Sequence, residues 1–124
     1  MAKEMMKEIG NKSREFFEFV LPPIDMHLDD SKLTVIIDIP GFKKEEIKLT
    51  ITENILSINA EKPINEKSKD DVICNQRPRI IDKKIRLPIY VKEGEEKVTS
   101  AKYSDGVLTL TFPVTKKGKD ISIE

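Results

Sequence analysis

The 124-residue sequence has no tryptophan, one cysteine and one histidine. A lone Cys74 can form no intramolecular disulfide and no thiolate metal cluster, and it reads as a small apolar or loop residue. A histidine-based triad would have to be built on His27, and no Gly-x-Ser-x-Gly elbow accompanies it. Glycine is scarce, at five residues, and none of them sits in a loop of the kind that cradles phosphates. The acidic pairs Asp29-Asp30, Glu45-Glu46 and Asp70-Asp71 fall in turns, where solvation accounts for them. With no Trp and only two Tyr, the chain lacks the aromatic platforms of a sugar-binding sandwich. Net charge is missing as well. Twenty-two basic and twenty-two acidic side chains cancel, leaving no field to draw in nucleic acid or an anionic membrane. No apolar run approaches the ~20 residues of a membrane span, and the N-terminus lacks the basic-then-apolar order of a secretory signal. These absences predict a cytoplasmic protein that is not an enzyme and takes no cofactor, metal, nucleic acid or membrane as partner.

What the chain does have is alternation. Asp105-Gly106 is a tight-turn signal, because the favoured hairpin turn needs positive φ at its central residues. After it, Leu108, Leu110 and Phe112 share one face, and Pro113 stops the strand for want of an N–H. Before it, Thr99, Ala101 and Tyr103 alternate with polar residues. Ile24, Met26 and Leu28 mark a short half-exposed strand. Leu33, Val35, Ile37 and Ile39 mark a second, closed by Pro40-Gly41. Lys43 to Glu46 reads as a linker with room for one helical turn. Ile47, Leu49 and Ile51 form another apolar face, Glu53-Asn54 reads as a turn, and Leu56, Ile58 and Ala60 carry the next strand inward. Ile80, Ile81, Ile85 and Leu87 lead to Pro88, with Tyr90-Val91 beyond. The period of two predicts an antiparallel β-sandwich.

Residues 1–21 have a different period. Met6, Ile9, Phe16 and Val20 fall near helical spacing, with Ser13 interrupting the stripe and Gly10-Asn11 expected to end or kink the helix. Adding Met5, Phe17, Phe19 and Leu21 makes the apolar face too wide for a simple surface helix. A small β domain has little room to bury it, so it should meet another surface; the alternative is a helix folded back on its own domain. Pro22-Pro23 bars its continuation. The chain thus divides into an apolar arm at 1–21, a β domain at 22–113 and a polar extension at 114–124.

Two stretches carry a family likeness. Leu33-Thr34-Val35-Ile36-Ile37-Asp38-Ile39-Pro40-Gly41-Phe42 and Ala101 to Pro113, with its Gly106-Val107-Leu108, resemble the conserved blocks of the α-crystallin domain of small heat-shock proteins. The spacing from Gly41 to Ala60-Glu61-Lys62 agrees. The resemblance spans residues 22 to 123 and implies an immunoglobulin-like sandwich acting as an ATP-independent holdase. Such a chaperone assembles with itself from dimers into a large homo-oligomer and binds unfolding client proteins. It also implies roles for particular residues. The charged stretch from Pro63 to Pro78 corresponds to a loop whose strand pairs with a neighbouring subunit, and Val72-Ile73-Cys74 is the β-prone run there. Ile121 and Ile123, with one polar residue between, look like the C-terminal anchor that docks at a sheet edge of another subunit. Where the family places an Arg that makes an ion pair across the dimer, this sequence has Lys83, a point charge without the bidentate fork; Arg79 or Arg86 could substitute. The apolar arm would take up clients. The competing class is a monomeric sandwich co-chaperone or adaptor, which needs neither arm nor anchor.

Overall fold

The computed structural model describes residues 2–64, 71–91, 99–114 and 122–123. A helix, α1 (Ala2–Val20), precedes six strands: β1 (Ile24–Leu28), β2 (Lys32–Asp38), β3 (Ile47–Glu61), β4 (Ile80–Val91), β5 (Ser100–Ser104) and β6 (Val107–Pro113). One antiparallel sheet has the order β1-β2-β6-β5, and β3 pairs with β4 in a second. The chain changes sheet after β2 and returns after β4, so β2 and β6 meet at the centre of the larger sheet.

Register follows from the alternation. In β2 and β6, Leu33 faces Phe112, Val35 faces Leu110 and Ile37 faces Leu108, and all six are buried. Leu56, Ile58 and Ala60 of β3, with Ile81 and Leu87 of β4, complete the same core from the other sheet. A one-residue slip of any of these strands would turn its apolar set to water, which fixes the pairing. The β5–β6 turn has Asp105 at φ 53° and Gly106 at φ 77°, the positive pair that a tight hairpin with right-handed twist requires. A Cβ on Gly106 would lie 3.0 Å from the Pro40 Cβ, so the turn also needs glycine to let the β2 exit loop pass. Asp29 holds the β1–β2 turn by accepting from the amides of Ser31 at 2.7 Å and Lys32 at 2.9 Å. These bonds, the Ser31 amide first, hold its carboxyl below the usual range. The helical turn expected in the linker is a 3-10 turn at Lys44–Glu46.

Two expectations are corrected. Glu53-Asn54 does not reverse the chain: β3 is one strand from Ile47 to Glu61, with Glu53 at φ 56° and an irregularity in register between Glu53 and Ile55. The inward residues are Ile47, Leu49 and Ile51 before it and Leu56, Ile58 and Ala60 after it, odd numbers and then even. A bulge makes that change of phase without a turn. Pro88 lies inside β4. Glu53 pairs with Val91 and Ile55 with Arg86, so Leu87 to Tyr90 of β4 stand opposite Asn54 alone, and Pro88 lies within this irregular stretch, where no ladder bond is asked of it. Lastly, Gly10 lies inside an unbroken helix and is buried. It is there for close approach, since a Cβ would stand 3.0 Å from the Asn75 nitrogen.

Candidate interaction surfaces

The arm does lie on its own chain, by the face that the hydropathy pattern does not mark. Lys3, Lys7, Gly10, Arg14 and Glu18 recur every three or four residues and so form one stripe of α1. Each meets or braces the segment 71–80. Lys3 and Lys7 both pair with Asp71. Those cations, Lys3 first through its hydrogen bond, hold the Asp71 carboxyl below its ordinary range. Gly10 rests on Cys74 and Asn75. Glu18, with Arg14 at 3.7 Å, accepts from the backbone amides of Arg79 at 2.9 Å and Ile80 at 2.6 Å. Ser13 returns its hydroxyl to the Ile9 carbonyl at 2.8 Å, which satisfies a polar group inside the helix.

The docked polar stripe turns the apolar side outward. Met5, Met6, Ile9, Phe16, Phe17, Phe19 and Val20 are all exposed, Phe16 to 61% and Phe19 to 78%. Leu21 parts from them: it is half-buried and packs against the core of the sandwich, so the arm's free apolar surface stops at Val20. Exposed apolar side chains gathered in this way on both sides of Ser13 mark an interaction surface on a small domain.

Val72, Ile73 and Cys74 lie outside any strand and are exposed. Lys83 sits on the inward-facing side of β4 with Ile81 and Ile85 and donates to the Phe19 carbonyl at 3.1 Å, where a cation meets the negative end of the helix. At the opposite end of the sandwich, an apolar groove of about 420 Å³ opens beside the edge strand β5. Leu49, Ile51 and Leu56 line it from β3, and Ala101, Leu110 and Phe112 from β5 and β6. Ile123 is almost wholly exposed, and Ile121 lies outside the described residues. Sequence reasoning missed the groove and the polar stripe. The groove could be found in the side chains Leu49, Ile51 and Ala101 at one sheet edge, and the stripe in the helical spacing of Gly10 with four charged residues. Among the described residues, no group of His, Cys, Asp and Glu gathers with a metal-holding geometry, and no helix is long and apolar enough to cross a membrane.

The sequence profile of the Hsp20/alpha crystallin family matches residues 25–124. An 18 kDa heat shock protein of Clostridium acetobutylicum is 37% identical over 97 residues, covering 78% of this chain and 64% of that relative. The chain thus aligns with just under two thirds of the relative's length. The crystal structure of a mutant of hsp14.1 from Sulfolobus is 42% identical and superposes with a TM-score of 0.69, covering 82% of this chain and 84% of the other. Heat shock protein 16.0 of Schizosaccharomyces pombe, 24% identical, shares the fold at a TM-score of 0.62 over 85% of this chain and 99% of its own. Sheet order, buried faces and these likenesses agree that the chain belongs to the Hsp20/alpha crystallin family of small heat-shock proteins.

Proposed function

We propose that the chain is a cytoplasmic holdase that captures unfolding proteins on its N-terminal arm and works as a homo-oligomer built from dimers. The observation that carries this reading is the orientation of α1. The helix turns Lys3, Lys7, Glu18 and its only glycine to the domain and leaves six large apolar side chains in water from Met5 to Phe19. A helix needed only for stability would bury them, since each is worth about 1.5–3 kcal/mol on burial. Two methionines and the aromatics offer adaptable contact area suited to clients of many shapes.

Assembly uses two further surfaces. The groove beside β5 fits an extended apolar segment, and Ile121 and Ile123 are the segment we assign to it, donated by a neighbouring subunit. Val72-Ile73-Cys74 is assigned to strand exchange within the dimer, with Lys83 or a neighbouring Arg making the ion pair across it. Balanced charge supports a surface that seeks neither nucleic acid nor membrane. The test replaces Phe16 and Phe19 by Ser in the full chain and follows light scattering of a heat-labile enzyme. Lost protection with unchanged oligomer size supports the arm as the client surface. Full protection by the variant refutes it.

A further inference from the structure

The segment 71–80 is claimed twice. Strand exchange, as proposed above, requires the backbone of Val72 to Asn75 to pair with a second copy of this chain. In the isolated chain the same backbone is occupied by α1. The Gly10 position comes so near that a Cβ there would lie 3.0 Å from the Asn75 nitrogen, 3.3 Å from the Cys74 Sγ and 3.5 Å from the Cys74 Cα. A pairing strand must sit about 4.8 Å away along the hydrogen-bonding direction. The body of a helix already fills that space on the Asn75 side, so the two partners cannot share it. The ends of the segment are held too: Asp71 by Lys3 and Lys7, and the Arg79 and Ile80 amides by Glu18.

We propose that α1 is an intramolecular guard on the exchange segment, so that pairing with a second copy and release of the arm are one event. The inference rests on the strand-exchange reading of Val72-Ile73-Cys74. It explains why the helix carries a glycine at its midpoint, at a cost in helix propensity: a long or branched side chain would hold the helix off the Cys74–Asn75 backbone, whereas a lone Cβ asks that backbone to give by only a few tenths of an ångström. It also explains why the docking contacts are polar. They hold the helix without consuming its apolar face, and they can be given up to water. A dimer forms only from the fraction of chains whose segment is uncovered, so its apparent affinity falls in proportion to that fraction. Dimerisation in turn sets the arm free, its Met and Phe side chains no longer fixed over one place on the domain.

A disulfide tests this directly, because Cys74 is the chain's only cysteine and faces position 10. The Gly10→Cys variant, oxidised with glutathione disulfide, should close an intramolecular bridge to Cys74 and lock α1 in place, recognised by the loss of two hydrogens from the monomer mass. Native mass spectrometry then compares the locked, reduced and Ile73→Pro chains at one concentration. The expected result is that the locked chain stays monomeric while its reduced form dimerises. Gly10→Leu, which cannot dock, should dimerise about tenfold more tightly than the parent if the segment is uncovered a tenth of the time. If the locked chain dimerises as well as the reduced one, and Ile73→Pro abolishes those dimers, the guard is overturned and strand exchange stands. Dimers that survive both the lock and Ile73→Pro overturn the exchange reading, and the guard with it.

Discussion

The Tyr103 hydroxyl reaches across the sandwich to the Ile39 carbonyl at 2.9 Å, and the Phe42 carbonyl stands 2.8 Å from the same oxygen. One phenol thereby ties β5 to the loop that leaves β2, beside the bond from the Ile39 amide to the Gly106 carbonyl at 2.8 Å. The loop crosses between sheets here and has few partners of its own.

Tyr103→Phe should therefore lower stability by about 1–2 kcal/mol, since it takes away the one O–H that the two carbonyls share in a half-buried place. Urea unfolding measures it. The same bond has a pH signature. Burial, then the nearby Glu46 carboxylate, raises the Tyr103 pKa above its ordinary 10.0. The folded state thus keeps its phenolic proton where the unfolded chain has lost it. The contribution is whole below about pH 10 and is lost as pH rises through the folded pKa. The parent should lose stability more steeply than Tyr103→Phe in that range.

Gly106→Ala should cost about 1–2 kcal/mol from its left-handed backbone alone, with a further loss from the approach to Pro40. The check is a lower thermal midpoint without a change in oligomer size. A substitution in the β1–β2 turn, Ser31→Ala, removes the hydroxyl that donates to the Asp29 carboxylate at 2.8 Å and should shift the midpoint less.

Leu110→Ala tests the core and the groove together, for Leu110 is buried in β6 and also lines the groove. Large-to-small changes at such a site cost about 2–5 kcal/mol. Ala101→Leu, an exposed β5 position on the same groove, should leave urea stability nearly unchanged while blocking the groove. If the tail docks there, Ala101→Leu reduces the assembly to dimers, which light scattering on a sizing column reads.

Replacing both Ile121 and Ile123 by Ala should have the same outcome as Ala101→Leu. Burial of two isoleucines is worth about 3–6 kcal/mol before the tail is ordered, so one docked tail is weak. A closed assembly repeats the contact and holds by avidity. A double variant that runs at the parent's size would show that the tails do not hold the dimers together.

Much of the sandwich was legible because its strands obey a strict period of two. The hairpin at Asp105-Gly106 and the faces of β2 and β6 were read directly from it. The irregularity at Glu53 to Ile55 was misread as a turn, although the change from Ile51 to Leu56 contains its signature: inward positions that pass from odd to even need a local break in the pairing, not a reversal. The arm shows a different limit. Hydropathy finds the apolar side of a helix and predicts that this side docks. In α1, packing is decided by Gly10 and by the charges at Lys3, Lys7 and Glu18, whose partners lie more than sixty positions away along the chain, beyond the reach of any local pattern.

The grip on α1 is uneven along its length. Its first turns are held by the exposed pairs of Lys3 and Lys7 with Asp71, which added salt screens. Its last turn is held by Glu18 on two backbone amides and by Leu21 wedged into the sandwich. Rising ionic strength therefore lifts the arm from its tip, leaving it pivoted at Pro22. A helix of 19 residues rises 1.5 Å per residue, so the tip sweeps an arc of radius about 28 Å. Anything caught on Met5 or Ile9 is held within that arc, and Phe16 and Phe19, near the pivot, travel least and stay nearest to the sandwich.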